Sequence, residues 1–130
     1  MIITLKTDNP VAEIGLYSPS GEQMSHVTWQ ADRQLANDLL AKIHEQLLVQ
    51  KADWPDVTGV VVFEGPGSFT GLRIGLTVAN SIAYAQSVPI VGAQGEDWVK
   101  SGLALLISGK NDTQVLPHYG AEAHITLPKK

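Results

Sequence analysis

The residues best equipped for chemistry lie in Phe63–Gly75, FEGPGSFTGLRIG, where a strand-like run enters a glycine-rich loop that opens a helix. Free backbone amides at such a helix start attract anions. Gly65, Gly67, Ser68, Thr70 and Arg73 are therefore the candidate phosphate or nucleotide contacts. Gly65 and Gly67 allow backbone conformations that other residues resist, and Pro66 stiffens the bend. Thr70 is the expected N-cap, its hydroxyl accepting from the N–H of Leu72 or Arg73. Phe69 and Ile74 then stand at hydrophobic-staple spacing. The pattern Gly-x-Gly-x-x-x-Gly is not a dinucleotide fingerprint, which wants a glycine where Thr70 stands, and it lacks the Gly-Lys-Ser/Thr of a Walker loop. A tight strand-to-helix turn without a ligand is the competing reading.

The helix after the loop carries a second signal. Gly71, Gly75, Ala79 and Ala83 recur every fourth residue. Glycine within a helix costs about 1 kcal/mol relative to alanine, so the lane predicts a close approach by another backbone. That backbone belongs either to this chain's own sheet or first helix, or to a partner. Arg73 in the first turn opposes the helix dipole by about 0.3–1 kcal/mol, which a nearby carboxylate or phosphate would offset; a solvated arginine is the alternative.

Other chemistry is weaker. His26, His44, His118 and His124 show no four-residue metal spacing, and no metal site is expected. His44 sits beside the apolar stripe of the first helix, as a packing or interface residue. Ser68 is not flanked as in a nucleophile elbow and no base can be assigned to it. Asp53, Asp56, Glu64 and Glu96 are scattered.

The elements that position these residues follow from periodicity. IITLKT (2–7), VAEIGLYS (11–18) and QMSHVTW (23–29) read as a meander of strands separated by turn residues. Leu35, Ala36, Leu39, Leu40, Ile43, Leu47 and Leu48 repeat at helical spacing, with Asp32 as the expected N-cap. The helix should end before Trp54-Pro55. VTGVVVF (57–63) is a continuous β-branched run suited to a central strand. A helix over 71–86, a strand over 88–93 and a helix over 96–108 complete the order β-β-β-α-β-α-β-α. This predicts an α/β fold with a mixed sheet and helices on its faces, the ribonuclease H-like arrangement that is also the repeating half of actin-like ATPases. Residues 1–108 form the expected single domain, and 109–130 an extended C-terminal tail.

Composition limits the function. The chain has 130 residues, 44% hydrophobic and 17% charged, with a net charge of −4, as an ordinary globular domain does. Its basic residues are scattered, with only Lys129 and Lys130 adjacent, so unaided nucleic-acid binding is not expected. No cysteine is present, which removes disulfides and thiolate metal sites. Neither a signal peptide nor a membrane span is visible, and a cytoplasmic location is the expectation.

GPGSFTGLRIG followed by LTVANSIAYAQSVPIVGA closely resembles the signature of the bacterial TsaB (YeaZ) family. The meander and first helix are similar to that family's first half, and PHYGAEAHITLPKK more loosely to its C-terminal segment. Members have two actin-like halves; this chain shows one plus the tail. The resemblance implies a non-catalytic subunit that pairs with TsaD, which with the ATPase TsaE transfers a threonylcarbamoyl group to adenosine beside the tRNA anticodon. It also implies pairing through helices 33–50 and 71–86. Leu39, Ile43, His44, Gly71, Gly75, Ala79, Asn80, Ala83 and Tyr84 then become the candidate interface. Where relatives carry a metal-binding aspartate at the end of the first strand, this chain reads Lys6-Thr7-Asp8, and lysine cannot bind Mg²⁺. No cofactor is expected on the chain alone, with ATP or ADP only at an interface shared with TsaD. The same helical face could form a homodimer in isolation. The alternative readings are a small phosphate- or nucleotide-binding enzyme using Gly65–Thr70, or a self-associating scaffold.

Overall fold

Alternating side chains build the first three strands, β1 (Ile2–Lys6), β2 (Val11–Tyr17) and β3 (Gln23–Gln30), as an antiparallel meander. They are followed by α1 (Leu35–Val49), β4 (Gly59–Phe63), α2 (Phe69–Gln86), β5 (Ile90–Ala93) and α3 (Trp98–Ile107). The computed structural model describes residues 1–118, apart from the Phe69 side chain. His124, Lys129, Lys130 and the rest of the tail beyond His118 lie outside the described residues. The strand order is β3-β2-β1-β4-β5, with β1, β4 and β5 mutually parallel. The sheet is therefore mixed, and the element order is the one the periodicity predicts.

Each face of the sheet has its own cover. Ile3 and Leu5 of β1, Ile14 and Leu16 of β2, and Val60 and Val62 of β4 are buried. They lie on the side where α1 and α2 pack, with Leu39, Ile43 and Leu47 of α1 and Leu72 and Ala79 of α2 also buried. Each large aliphatic side chain taken from water here contributes about 1.5–3 kcal/mol. On the other face α3 covers β4 and β5. There Val61 fills the space beside Gly102, and Trp98 meets Phe63 edge to face at 5.8 Å.

Both expected N-caps are corrected. Asp32 begins a short 3-10 turn, Asp32–Gln34, and α1 starts at Leu35 without a side-chain cap. The Asp32 carboxylate accepts instead from the Gln30 side chain at 2.9 Å, which takes it away from the helix amides. Thr70 already lies inside α2, whose N-cap position is Ser68. The Ser68 amide is tied to Asp8 O at 2.9 Å, and its carbonyl accepts from Leu72 N–H at 2.9 Å. This anchoring to the β1–β2 turn starts the helix earlier than the Thr70 hydroxyl would.

After α3 the chain doubles back as a strap along β5. Asp112 N–H donates to Ile90 O at 2.7 Å, and Ile90 N–H donates to the Asn111 side chain at 3.1 Å. Gly92 N–H donates to Asp112 Oδ2 at 3.0 Å. The Asn80 amide of α2 then grips Val115 with paired 2.9 Å bonds, accepting from its N–H and donating to its carbonyl. His118 N–H closes the strap on Glu64 O at 2.7 Å. Among the described residues, no helix is long and apolar enough to cross a membrane.

Candidate functional site

The glycine loop connects β4 to α2 at the carboxyl end of the parallel strands. Gly65 has φ 122°, a conformation that favours glycine, and its free side faces the His118 carbonyl. The free side of Gly67 faces Asp8, and that of Gly71 faces Thr7 O. The close approaches that these glycines permit are thus made by the chain's own backbone and turn. The Ser68 amide is also bonded to Asp8, which takes that donor away from any anion at the helix start.

What remains open is a neighbouring cleft of about 500 Å³ between the β1–β2 turn, the 3-10 turn and the start of α2. It brings Ser68 and Thr70 together with Asn9, Arg33 and Gln34. Arg73 is not part of it. That residue lines a separate hollow of about 140 Å³ with Thr77, Asn80 and the strap residues Gln114–Pro117. The loop residues grouped in the sequence as anion contacts are therefore divided between different surfaces.

Lys6 sits at the end of β1 with its Nζ 2.6 Å from Asp8 Oδ1 and 3.9 Å from Glu13 Oε2. The same ammonium lies 4.8 Å from the centre of the Phe63 ring. An ammonium only donates, so this position supplies a fixed cation where a metal-binding site needs a carboxylate. Among the described residues, no three histidine or carboxylate side chains converge as metal ligands.

The first two residues of the small-residue lane of α2 lie against Thr7, just past the end of β1. Thr7 Oγ1 donates to Gly71 O at 2.8 Å, and the same side chain fills the space beside Gly75. Ala79 and Ala83 are buried, as are Leu39 and Ile43 of α1. These residues serve the chain's own packing. Of the remaining interface candidates, Asn80 holds the strap, and Tyr84 projects with 88% of its surface exposed. Tyr84 lines a hollow with Ser87, Val88, Pro89, Asn111 and Thr113, while a separate shallow groove of about 260 Å³ runs between the helices, lined by Leu40, Trp54, Ser81, Ile82, Ala85 and Gln86. Leu40 was visible in the apolar stripe, which is too wide for one buried face. Trp54 entered only as a helix-ending signal.

His44 flanks this groove. Its Nε2 lies 2.8 Å from Asp53 Oδ1, and its ring stacks on Trp54 at 5.3 Å. Asp53 also accepts from Trp54 N–H, while Asp56 accepts from Asp53 N–H, closing a capping box around Pro55. The bond from Trp54 N–H, and then the contact with His44, hold the Asp53 carboxyl below the usual carboxylate range. The spacing Asp-Trp-Pro-Asp is a legible cap signal, and it places His44.

A family model described as TsaD, tRNA N6-adenosine threonylcarbamoyltransferase, matches residues 27–118. The tRNA N6-adenosine threonylcarbamoyltransferase of Acaryochloris marina is 27% identical over 110 residues, covering 75% of this chain and 30% of that protein. The tRNA threonylcarbamoyladenosine biosynthesis protein TsaB of Bacillus subtilis is 49% identical over 35 residues, 27% of this chain and 15% of that protein. The solved structure of YeaZ from Pseudomonas aeruginosa superposes with a TM-score of 0.65 at 24% identity, covering 72% of this chain and 43% of the other. That likeness establishes the actin-like, ribonuclease H-like fold. The chain matches less than half the length of each of these relatives.

Proposed function

The chain belongs to the TsaD family of tRNA N6-adenosine threonylcarbamoyltransferases and is TsaB-like; from that premise we propose that it is a non-catalytic subunit that docks on TsaD. In this reading it supports threonylcarbamoyl transfer to adenosine beside the tRNA anticodon, with TsaE and tRNA reached through the complex. The observation that carries it is the open groove between α1 and α2, with Leu40 exposed on its wall and Tyr84 exposed on another flank of α2. A partner's helices would cover Leu40, Ile82 and Ala85 and take Tyr84 as an anchor, since aromatic side chains in such positions dominate interface energies. The chain performs no step of the transfer itself. ATP or ADP binds only where TsaD completes a junction with the cleft beside Ser68 and Thr70, since the Ser68 amide at the helix start is already bonded to Asp8.

Light scattering during gel filtration, for the chain alone and mixed with TsaD, with and without ATP, tests this reading. A defined complex is expected, weakened at least tenfold by Leu40→Glu with Tyr84→Ala, both at exposed positions. Leucine at Gly75 or Ala79 tests folding instead, since both are buried. Separate elution at every concentration overturns the proposal.

A further inference from the structure

Strand β3 forms one edge of the sheet and, among the described residues, pairs only with β2. Ala31 N–H bonds Pro10 O at 2.9 Å. Bonding alternates along an antiparallel pair, so Ser25, Val27 and Trp29 turn their backbone groups towards β2. Met24, His26, Thr28 and Gln30 turn theirs outward. Gln50 of α1 reaches the carbonyl of Met24 at 3.3 Å, at one end of this edge.

An exposed strand of this length is usually protected by lysine, proline, a bulge or a covering segment. β3 reads QMSHVTWQ, with no Lys, Arg, Asp, Glu, Gly or Pro. Its register with β2 is regular from Val11–Gln30 to Leu16–Ser25, and the one irregularity lies beyond, at Leu16/Tyr17. Free backbone donors and acceptors in this geometry fit an extended strand and no other element.

We propose that this edge pairs antiparallel with β3 of a second copy, about a two-fold axis at Val27, to join two sheets into one. In that register Val27 meets Val27, His26 meets Thr28, Ser25 meets Trp29 and Met24 meets Gln30. Opposed residues share a face, which antiparallel pairing requires, and the outward-facing His26 and Thr28 exchange backbone bonds. No like charges meet, because the strand has no Lys, Arg, Asp or Glu and its histidine opposes Thr28. The half-buried Val27 and Trp29 lie together on the α1 side and gain cover. The flank of α1 near them also carries both signs, with Lys42 grouped with Asp38 and Glu45 and its Nζ 5.7 Å from the Trp29 ring centre. A two-fold operation brings an isologous surface onto itself, and this mixture tolerates it. The surface is separate from the α1–α2 groove, so the proposal stands independently of the partner reading above.

The chain has no cysteine, which gives a clean reporter. At a non-hydrogen-bonded pair on the axis, opposed Cα atoms lie about 4.5 Å apart, within disulfide reach. Val27→Cys is expected to form a disulfide dimer under mild oxidation at least tenfold faster than Ser101→Cys on exposed α3. Adding Thr28→Pro removes an outward N–H, which an edge strand tolerates, and should return cross-linking to the control rate. Thr28→Lys serves the same purpose if the proline variant fails to fold, as judged by circular dichroism. Cross-linking of Val27→Cys no faster than the control overturns the proposal. So does unchanged cross-linking in a folded Thr28 variant.

Discussion

At β5 the outward backbone groups of Ile90 and Gly92 are taken by Asn111 and Asp112 of the strap, whereas at β3, among the described residues, only Gln50 reaches the outer edge. Both are edges of the same sheet and both face away from the parallel centre. The difference lies in what the following chain does. After β3 the chain turns immediately into α1, which packs over the sheet face. After α3 it returns along the edge, fixed by side chains able to imitate a strand. An edge is thus closed by Asn and Asp amide and carboxylate groups as effectively as by another strand, and it stays open where no such segment passes.

The largest effect should come from Val115→Asp, which places a charge where a buried valine seats the strap. A loss of about 3 kcal/mol is expected in urea unfolding, with hydrogen exchange at Ile90 and Gly92 accelerated more than at β2. Asn80→Leu should follow, at about 2 kcal/mol, because it leaves the Val115 N–H and carbonyl without their paired partner. Exchange that stays slow at Val115 in this variant would show that the strap is held some other way. Asp112→Ala should cost about 1 kcal/mol through the acceptor lost to Gly92. On the open edge Thr28→Pro should change monomer stability by less than about 0.5 kcal/mol, since its outward N–H has no partner among the described residues. A thermal midpoint as depressed as that of Asn80→Leu would contradict the contrast between the edges.

Asp53→Asn is a control that should touch neither edge. The carboxyl is held below its ordinary value by Trp54 N–H and His44. Its stabilisation is therefore present above the unfolded carboxylate pKa and fades as pH falls through the lower folded value. Wild type should lose this increment below about pH 4, and the asparagine variant should show a flatter acid limb in unfolding followed by circular dichroism. Exchange at Ile90 and His26 should remain as in wild type.

The strands and helices were legible because their apolar patterns are local. VVVF reads as a central strand, and Leu35, Leu39, Ile43 and Leu47 as a helix face, without reference to the rest of the chain. The glycine loop was legible as a strand-to-helix turn, and the four-residue lane correctly demanded a close neighbour. Its identity was not legible, because Thr7 stands 64 residues before Gly71 and no local signal joins them. The caps failed for a related reason. Asp32 and Thr70 are good local candidates, but Gln30 claims the first, and Asp8 anchors the chain ahead of the second.

The sequence by itself determined the order of elements, the buried face of each and the signature that places the chain in its family. All of these depend on side-chain periodicity or on contiguous residues. Only the tertiary structure decided that the loop glycines face Asp8, Thr7 and His118, that Asn80 grips the strap, and that, among the described residues, one sheet edge is closed by the strap while the other is reached only by Gln50. Those outcomes depend on hydrogen bonds between distant segments, and such bonds acquire partners only when the sheet brings the segments side by side.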